Sequence, residues 1–393
     1  MTSHIFDNPI AVHVIWHPDS DEAAGIADTL FSALRSDGAQ IQGGIGIPVF
    51  FYSMGRDGST GVPPDIDRGA ARRCVLLPVI DEHLIDAVDC KPDWRDWFDQ
   101  ATELRSKDPE HVSLIPVTLC EEAIAFCNRS GLPNAIRWHH WHRQSAQEKT
   151  NRLLVTLLPM VFDALRSEAG DSVNPDDREK ISLFLSHAKA DGRDLAIVFR
   201  DEINRIPGVA DFFDEVDILP GEDFECVLER HVGKAAVLII HTDSYASRDW
   251  CSWEVVTGKR LNVPMVTAHC IHDREHRAFP YLGNVPSVRV GEVTSARVLD
   301  VVRRLLEEAL RQLLWRCFIA QVREKAPEEL RDVIDTWRTP EIVWLMLNQD
   351  IAESTASDIR ILHPDPPLGR NEKSILEKFK PKISLLTPID LSI

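Results

Sequence analysis

Trp250 and Glu254 stand four residues apart in Trp250-Cys251-Ser-Trp253-Glu254. That spacing puts both on one face of a helix. An aromatic ring beside a carboxylate can hold a flat cationic heterocycle and stabilise positive charge that develops next to it. Two other segments are candidates to meet them. Ser186-His187-Ala-Lys-Ala-Asp191 follows an apolar run at Ile181–Leu185, and Asp217-Ile-Leu-Pro-Gly221-Glu-Asp-Phe224 follows a second at Ala210–Asp214. Within the latter, Pro220-Gly221 dictates a tight turn. The Trp250–Glu254 helix is itself preceded by a third run, Ala235–His241. Three chemistry-bearing segments at three strand ends are expected to converge on one sheet edge. Cys251 lies between the two tryptophans, but no His–Asn partner is readable nearby, which disfavours a nucleophilic thiol.

The elements that must position these residues alternate. After the strand Ile181–Leu185, apolar residues Leu195, Ile197, Val198 and Ile203 recur at helical spacing over Asp194–Ile206. The strand Ala210–Asp214 precedes a short helix, Asp223–Val232. The strand Ala235–His241 precedes a helix, Trp250–Arg260. Strands at Val263–Ala268 and Val285–Val290 and a long amphipathic helix, Thr294–Val322, complete the block. Strands this apolar, separated by helices, predict a parallel sheet covered on both faces, with ligands bound beyond the carboxyl ends of the strands.

The N-terminal block repeats this order. Strands are predicted at Ala11–Trp16, Pro48–Tyr52, Cys74–Ile80 and Val112–Thr118, and helices at Glu22–Arg35, Trp94–Leu104 and Glu148–Arg166. Local text repeats as well. Trp16-His17-Pro-Asp-Ser-Asp21 stands against Ser186-His187-Ala-Lys-Ala-Asp191, and Trp94-x-x-Trp97 against Trp250-x-x-Trp253. The offsets are 170 and 156 residues, so the N-terminal copy would carry extra loop around Met54–Pro64. This reads as an internal duplication. The alignment sets Phe98 opposite Glu254 and Trp16 opposite Ser186. A phenylalanine cannot stabilise developing positive charge as a carboxylate does, so the first copy is expected to be non-catalytic.

The expected organisation is residues 1–167, a polar Gly- and Pro-containing linker at 168–179, a second domain at 180–323, and a small α/β segment at 324–393. That segment offers strands at Ser357–Leu362 and Ile383–Leu386 around a helix at Arg370–Phe379. A chain of 393 residues has room for two or three domains. With 44 Lys+Arg against 62 Asp+Glu, the formal charge of −18 repels phosphate backbones and disfavours direct nucleic-acid binding. No apolar run reaches the ~18 residues of a membrane span, and the first ten residues do not resemble a secretory signal. Eight cysteines without a CxxC pair fit reduced thiols, so a cytoplasmic protein is expected.

Two histidine runs invite a metal reading: Trp138-His139-His140-Trp141-His142, and His269-Cys270 with His272 and His276. Neither has a second cluster at zinc-finger spacing, and no metal is expected. Neither a GxGxxG nor a GxxxxGK[ST] motif occurs, so a dinucleotide here would be a substrate and not a bound redox cofactor.

Three motifs together resemble the Toll/interleukin-1 receptor (TIR) domain family. Phe184-Leu185-Ser186-His187 with Asp191 is similar to its opening box, and Asp217–Phe224 to its loop after the second strand. Ser-x-x-Ser-x-x-Trp-Cys-x-x-Glu across Ser244–Glu254 is similar to the segment bearing its catalytic glutamate. The resemblance covers about Ile181 to Val290. It implies two tandem flavodoxin-like, doubly wound α/β domains with the small C-terminal segment appended. It also implies cleavage of NAD as a substrate, with Glu254 catalytic. Ser186, His187, Leu219, Ser247 and Trp250 would bind substrate, and Asp217, Pro220 and Gly221 would form an assembly loop. Glu254 would act ionised, as an unperturbed glutamate is above about pH 4.3. The family setting implies self-association through TIR domains, bacterial antiphage defence, and a trigger or partner at the N-terminal copy. Two alternatives stand beside it: a non-enzymatic adaptor, and a hydrolase of another nucleoside N-glycosidic bond.

Overall fold

The protein is described by a computed structural model over residues 7–35, 45–55, 61–169, 181–209, 235–275, 278–348, 351, 358–379 and 383–391. The chain divides into two compact units, Met1–Ser167 and Glu168–Ile393. Both are α/β, and every sheet among the described residues is parallel.

In the first unit, β1 (Ile10–Ile15), β2 (Val49–Tyr52), β3 (Arg73–Ile80), β4 (Val112–Leu114), β5 (Val117–Thr118) and β6 (Ile136–Arg137) form one sheet. Its order is β2-β1-β3-β5-β6, with β4 also on β3, which is the flavodoxin order with its fourth strand in two pieces. All six residues of β1 are buried, as a strand covered on both faces requires. Helix α1 (Asp21–Leu34) starts at Ser20, whose hydroxyl accepts the Ala23 N–H at 3.2 Å. The expected strand Val112–Thr118 is interrupted at Ile115-Pro116, because Pro116 has no N–H for a ladder.

Three further helices follow: α2 (Glu82–Cys90), α3 (Pro92–Lys107) and α4 (Glu122–Arg129); a fourth, α5 (Ala146–Leu165), closes the unit. Neither α2 nor α4 is among the helices expected from the sequence. Asp81 starts α2 by accepting the Leu84 N–H at 3.0 Å, and Leu84, Ala87 and Val88 bury its inner face.

In the second unit, β7 (Ser182–His187), β8 (Ala235–His241), β9 (Met265–His269) and β10 (Ser287–Arg289) lie in the order β10-β9-β8-β7. Val209 makes a parallel bridge to Ile181 at the start of β7. The expected strand Ala210–Asp214 and helix Asp223–Val232 lie outside the described residues. Helix α6 (Arg193–Ile203) buries Ala196, Phe199 and Ile203, at i, i+3 and i+7. Ile197 and Val198, expected on the core face, are exposed instead. Helix α7 (Asp249–Arg260) follows β8, and α8 (Ser295–Lys325) runs past the expected boundary at 323.

The C-terminal strands β11 (Val333–Asp335), β12 (Ile359–Leu362) and β13 (Ile383–Leu386) form a three-stranded sheet with helices α9 (Ile342–Leu347) and α10 (Arg370–Phe379). Trp315 and Ile319 of α8 share a core with Trp337, Leu362 and Leu391. No helix among the described residues is long and apolar enough to cross a membrane.

Candidate active site

The fold brings β7 and β8 side by side, with Ser186 in register with Ile239. The loop after β7 and the start of α7 therefore rise from one sheet edge. Asp191 ties them together. It accepts the Thr242 hydroxyl at 2.7 Å and the Ser244 N–H at 2.9 Å. Gly192 is required beside it, since a Cβ there would lie 2.9 Å from the Ala188 carbonyl oxygen.

Between these segments opens a cleft of ≈ 570 Å³, lined by Phe184, Leu185, His187–Ala190, Arg248, Trp250, Cys251 and Glu254. That volume suits an organic ligand of metabolite size. Glu254 is only 3% exposed, yet it reaches the wall. One turn earlier, Trp250 is 48% exposed, its ring 4.9 Å from that of Trp253 at 37°. Trp253 packs half-buried against the hydrophobic core.

Beneath the wall, Ser186 is fully buried, and its hydroxyl donates to Glu254 Oε2. Tyr245, also fully buried, places its hydroxyl 2.5 Å from Ser186 Oγ. Burial, reinforced by the Glu254 charge, pushes the Tyr245 phenol well above the usual tyrosine range. The same two causes push the Cys251 thiol up to about 12. It stays protonated at neutral pH, which removes it as a nucleophile.

The expected site residues therefore separate. Glu254, Trp250 and His187 share the cleft. Ser186 lies behind it, on Glu254. Ser247 closes the turn before α7, its hydroxyl donating to the Ser244 carbonyl at 2.7 Å. Leu219, Asp217, Pro220 and Gly221 lie outside the described residues. Sequence reasoning missed Tyr245 as a partner of this site. It also missed two exposed cations at the cleft, Lys189 and Arg248. Their signal was positional only: each neighbours a motif residue.

In the first unit, Phe98 and Trp94 are buried at 1% and 2%. The Phe98 ring packs 5.7 Å from Phe126, and Trp94 packs 5.3 Å from His17. The aromatic and the residue aligned with the carboxylate thus serve as core.

Among the described residues, neither histidine run gathers three potential metal ligands. His139 Nδ1 lies 3.0 Å from the Thr118 carbonyl oxygen. The His272 and Asp273 N–H groups donate to Asp243 at 2.8 and 3.0 Å, holding that carboxyl below its usual range. His276 lies outside the described residues. Glu82, Cys120 and Glu122 do converge, but burial and the flanking carboxylates push the Cys120 thiol up to about 11.

No family model matches the chain, and no curated protein matches it. Among solved structures, it is similar at 11% identity and a TM-score of 0.31 to a dinucleotide-forming acetyl-coenzyme A synthetase 1 of Ca. Korarchaeum cryptofilum. That match covers 81% of this chain and 68% of the other. A dipicolinate synthase chain from Bacillus halodurans matches at 10% identity and a TM-score of 0.18, over 78% of this chain and 98% of its own. Both likenesses are too slight to bear on the site.

Proposed function

We propose that the second unit is a TIR-type NAD glycohydrolase with Glu254 as its catalytic carboxylate. The observation that carries this reading is one buried carboxylate on the wall of a metabolite-sized cleft, one helical turn from a half-exposed tryptophan. The three motif resemblances support it. So do Lys189 and Arg248, whose charges complement a diphosphate.

The chemistry follows from the charges. The pyridinium of NAD is already cationic, so nicotinamide departs neutral, taking the electron pair of the N-glycosidic bond, with no general acid. The ribose passes through an oxocarbenium-like state, as in other glycoside cleavages. A carboxylate fixed beside it stabilises that charge before solvent can rearrange to do so. Trp250 holds the departing ring by its face. Water adding at the anomeric carbon, with loss of a proton, gives ADP-ribose. Attack by an adenine nitrogen gives a cyclic ADP-ribose. NAD is consumed, and no cofactor or metal enters the scheme.

The first unit serves in this proposal as a non-catalytic partner- or trigger-binding module, because Phe98 and Trp94 are core residues. The setting proposed is cytoplasmic antiphage defence in bacteria, with activity raised by self-association. The test is NAD consumption by concentrated full-length protein beside Glu254→Gln, with products separated by chromatography. Loss of NAD that stops in the variant supports the reading. Loss that persists overturns the site. No loss even in lysates of phage-infected cells expressing the protein favours a non-enzymatic adaptor.

A further inference from the structure

The buried groups behind Glu254 have a defined proton order. Ser186 has one hydroxyl hydrogen, and it points to Glu254 Oε2. The short contact between Ser186 Oγ and Tyr245 Oη then leaves Tyr245 as the donor. Tyr245 is equipped for this, because burial and the Glu254 charge both keep its phenol protonated. Both hydroxyls are wholly shielded from water, so neither can exchange its partner for solvent. The ring of Tyr245 is fixed in turn, edge-on to His241 and Phe279 at 5.4 and 5.5 Å.

We infer that Tyr245 and Ser186 are positioning residues, a one-directional hydrogen-bond relay (Tyr245 to Ser186 to Glu254) that holds the Glu254 carboxylate in its place on the cleft wall. Ser186 thus acts on the reaction through Glu254 and does not touch substrate. As a statement about catalysis, this rests on the proposed role of Glu254. As a statement about the relay, it does not, and the experiment keeps the two apart.

Two readouts are made on the full chain. The first is a double-mutant cycle on folding stability, using the near-isosteric Tyr245→Phe and Glu254→Gln, run with Ser186 present and again with Ser186→Ala. The cycle needs no substrate. The relay predicts a coupling of about fivefold or more in the folding equilibrium, lost when Ser186 is alanine, as linked groups couple and independent ones add. Additivity with Ser186 present, or equal coupling in both backgrounds, overturns the relay whatever the protein catalyses.

The second readout is the split between kcat and KM for NAD. Ser186→Ala should lower kcat by roughly 10–100-fold with KM within about twofold. A rise in KM at unchanged kcat would make Ser186 a substrate contact and overturn the inference. If wild type shows no Glu254-dependent NAD loss, the NAD reading fails, and the stability cycle alone decides the relay.

Discussion

The buried Lys259 Nζ and the partly exposed Glu341 carboxylate form an ion pair, joining the last turn of the Glu254 helix to the C-terminal segment. Lys259 is 4% exposed and also donates to the Gly283 carbonyl at 2.6 Å. Burial lowers its pKa, and the Glu341 charge works against that fall. The Asn262 carbonyl just beyond the helix accepts Trp337 Nε1–H at 2.7 Å and Gln312 Nε2–H at 2.9 Å. The C-terminal segment is therefore built into the second unit at the far end of the Glu254 helix.

Removing one partner should destabilise far more than removing both. Glu341→Ala strands an ammonium in the interior and should cost about 3–5 kcal/mol. Lys259→Met with Glu341→Leu should recover most of that loss. Denaturant unfolding of the three proteins checks this; equal losses in the single and double variants would refute it.

Glu254→Gln keeps the shape of the side chain and removes its charge. Turnover of NAD should fall on the order of 100-fold or more in a protein that still folds cooperatively. Single-turnover product analysis is the measurement.

Trp250 offers a ring face half open to solvent. Trp250→Ala should weaken capture of the cationic ring by about tenfold, seen mainly in KM, while Trp250→Phe retains most of it. An equal loss in both variants would place the role of Trp250 elsewhere.

Lys189 and Arg248 should read the diphosphate. Alanine at both positions should raise KM for NAD and flatten its dependence on ionic strength. Cleavage of nicotinamide riboside, which lacks the diphosphate, should be unaffected. Steady-state kinetics on the two substrates at several salt concentrations separates these outcomes.

His13 gives the first unit a pH response. It is fully buried on β1, and burial lowers its pKa to about 4. The unfolded chain therefore binds a proton that the folded chain resists between about pH 6.5 and 4. The stability tied to this neutral imidazole is whole above pH 6.5 and is lost as pH falls toward 4, by about 3 kcal/mol. His13→Leu should flatten that part of the profile. Thermal melts from pH 7.5 to 4.5 provide the check.

Legibility follows local chemistry. Ala235–His241 is readable to the residue, because an unbroken apolar run of this length suits a fully buried strand. Trp250 and Glu254 are readable as neighbours from helical spacing, but the burial of Glu254 is not. That depends on Ser186 and Tyr245 arriving beneath it, 68 and 9 residues away in sequence. The inner face of α6 misleads because Ile197 and Val198 look like core, whereas Ala196, Phe199 and Ile203 keep the tighter helical register. The apolar text of Val112–Thr118 runs straight through Pro116, whose missing N–H breaks the ladder. Lys189 and Arg248 carry no periodic signal at all. Exposed cations look alike in a sequence until the cleft beside them is drawn.

The carboxylate of Asp191 makes the two flanks of the cleft mechanically one part. It grips Thr242 and Ser244 from the opposite loop while Gly192 leaves no slack behind it. A tug on His187 and Lys189 is thereby delivered to the turn that launches α7. The loop after β7 and the turn that launches α7 thus share one anchor, and a change at Asp191 would loosen both walls of the cleft together.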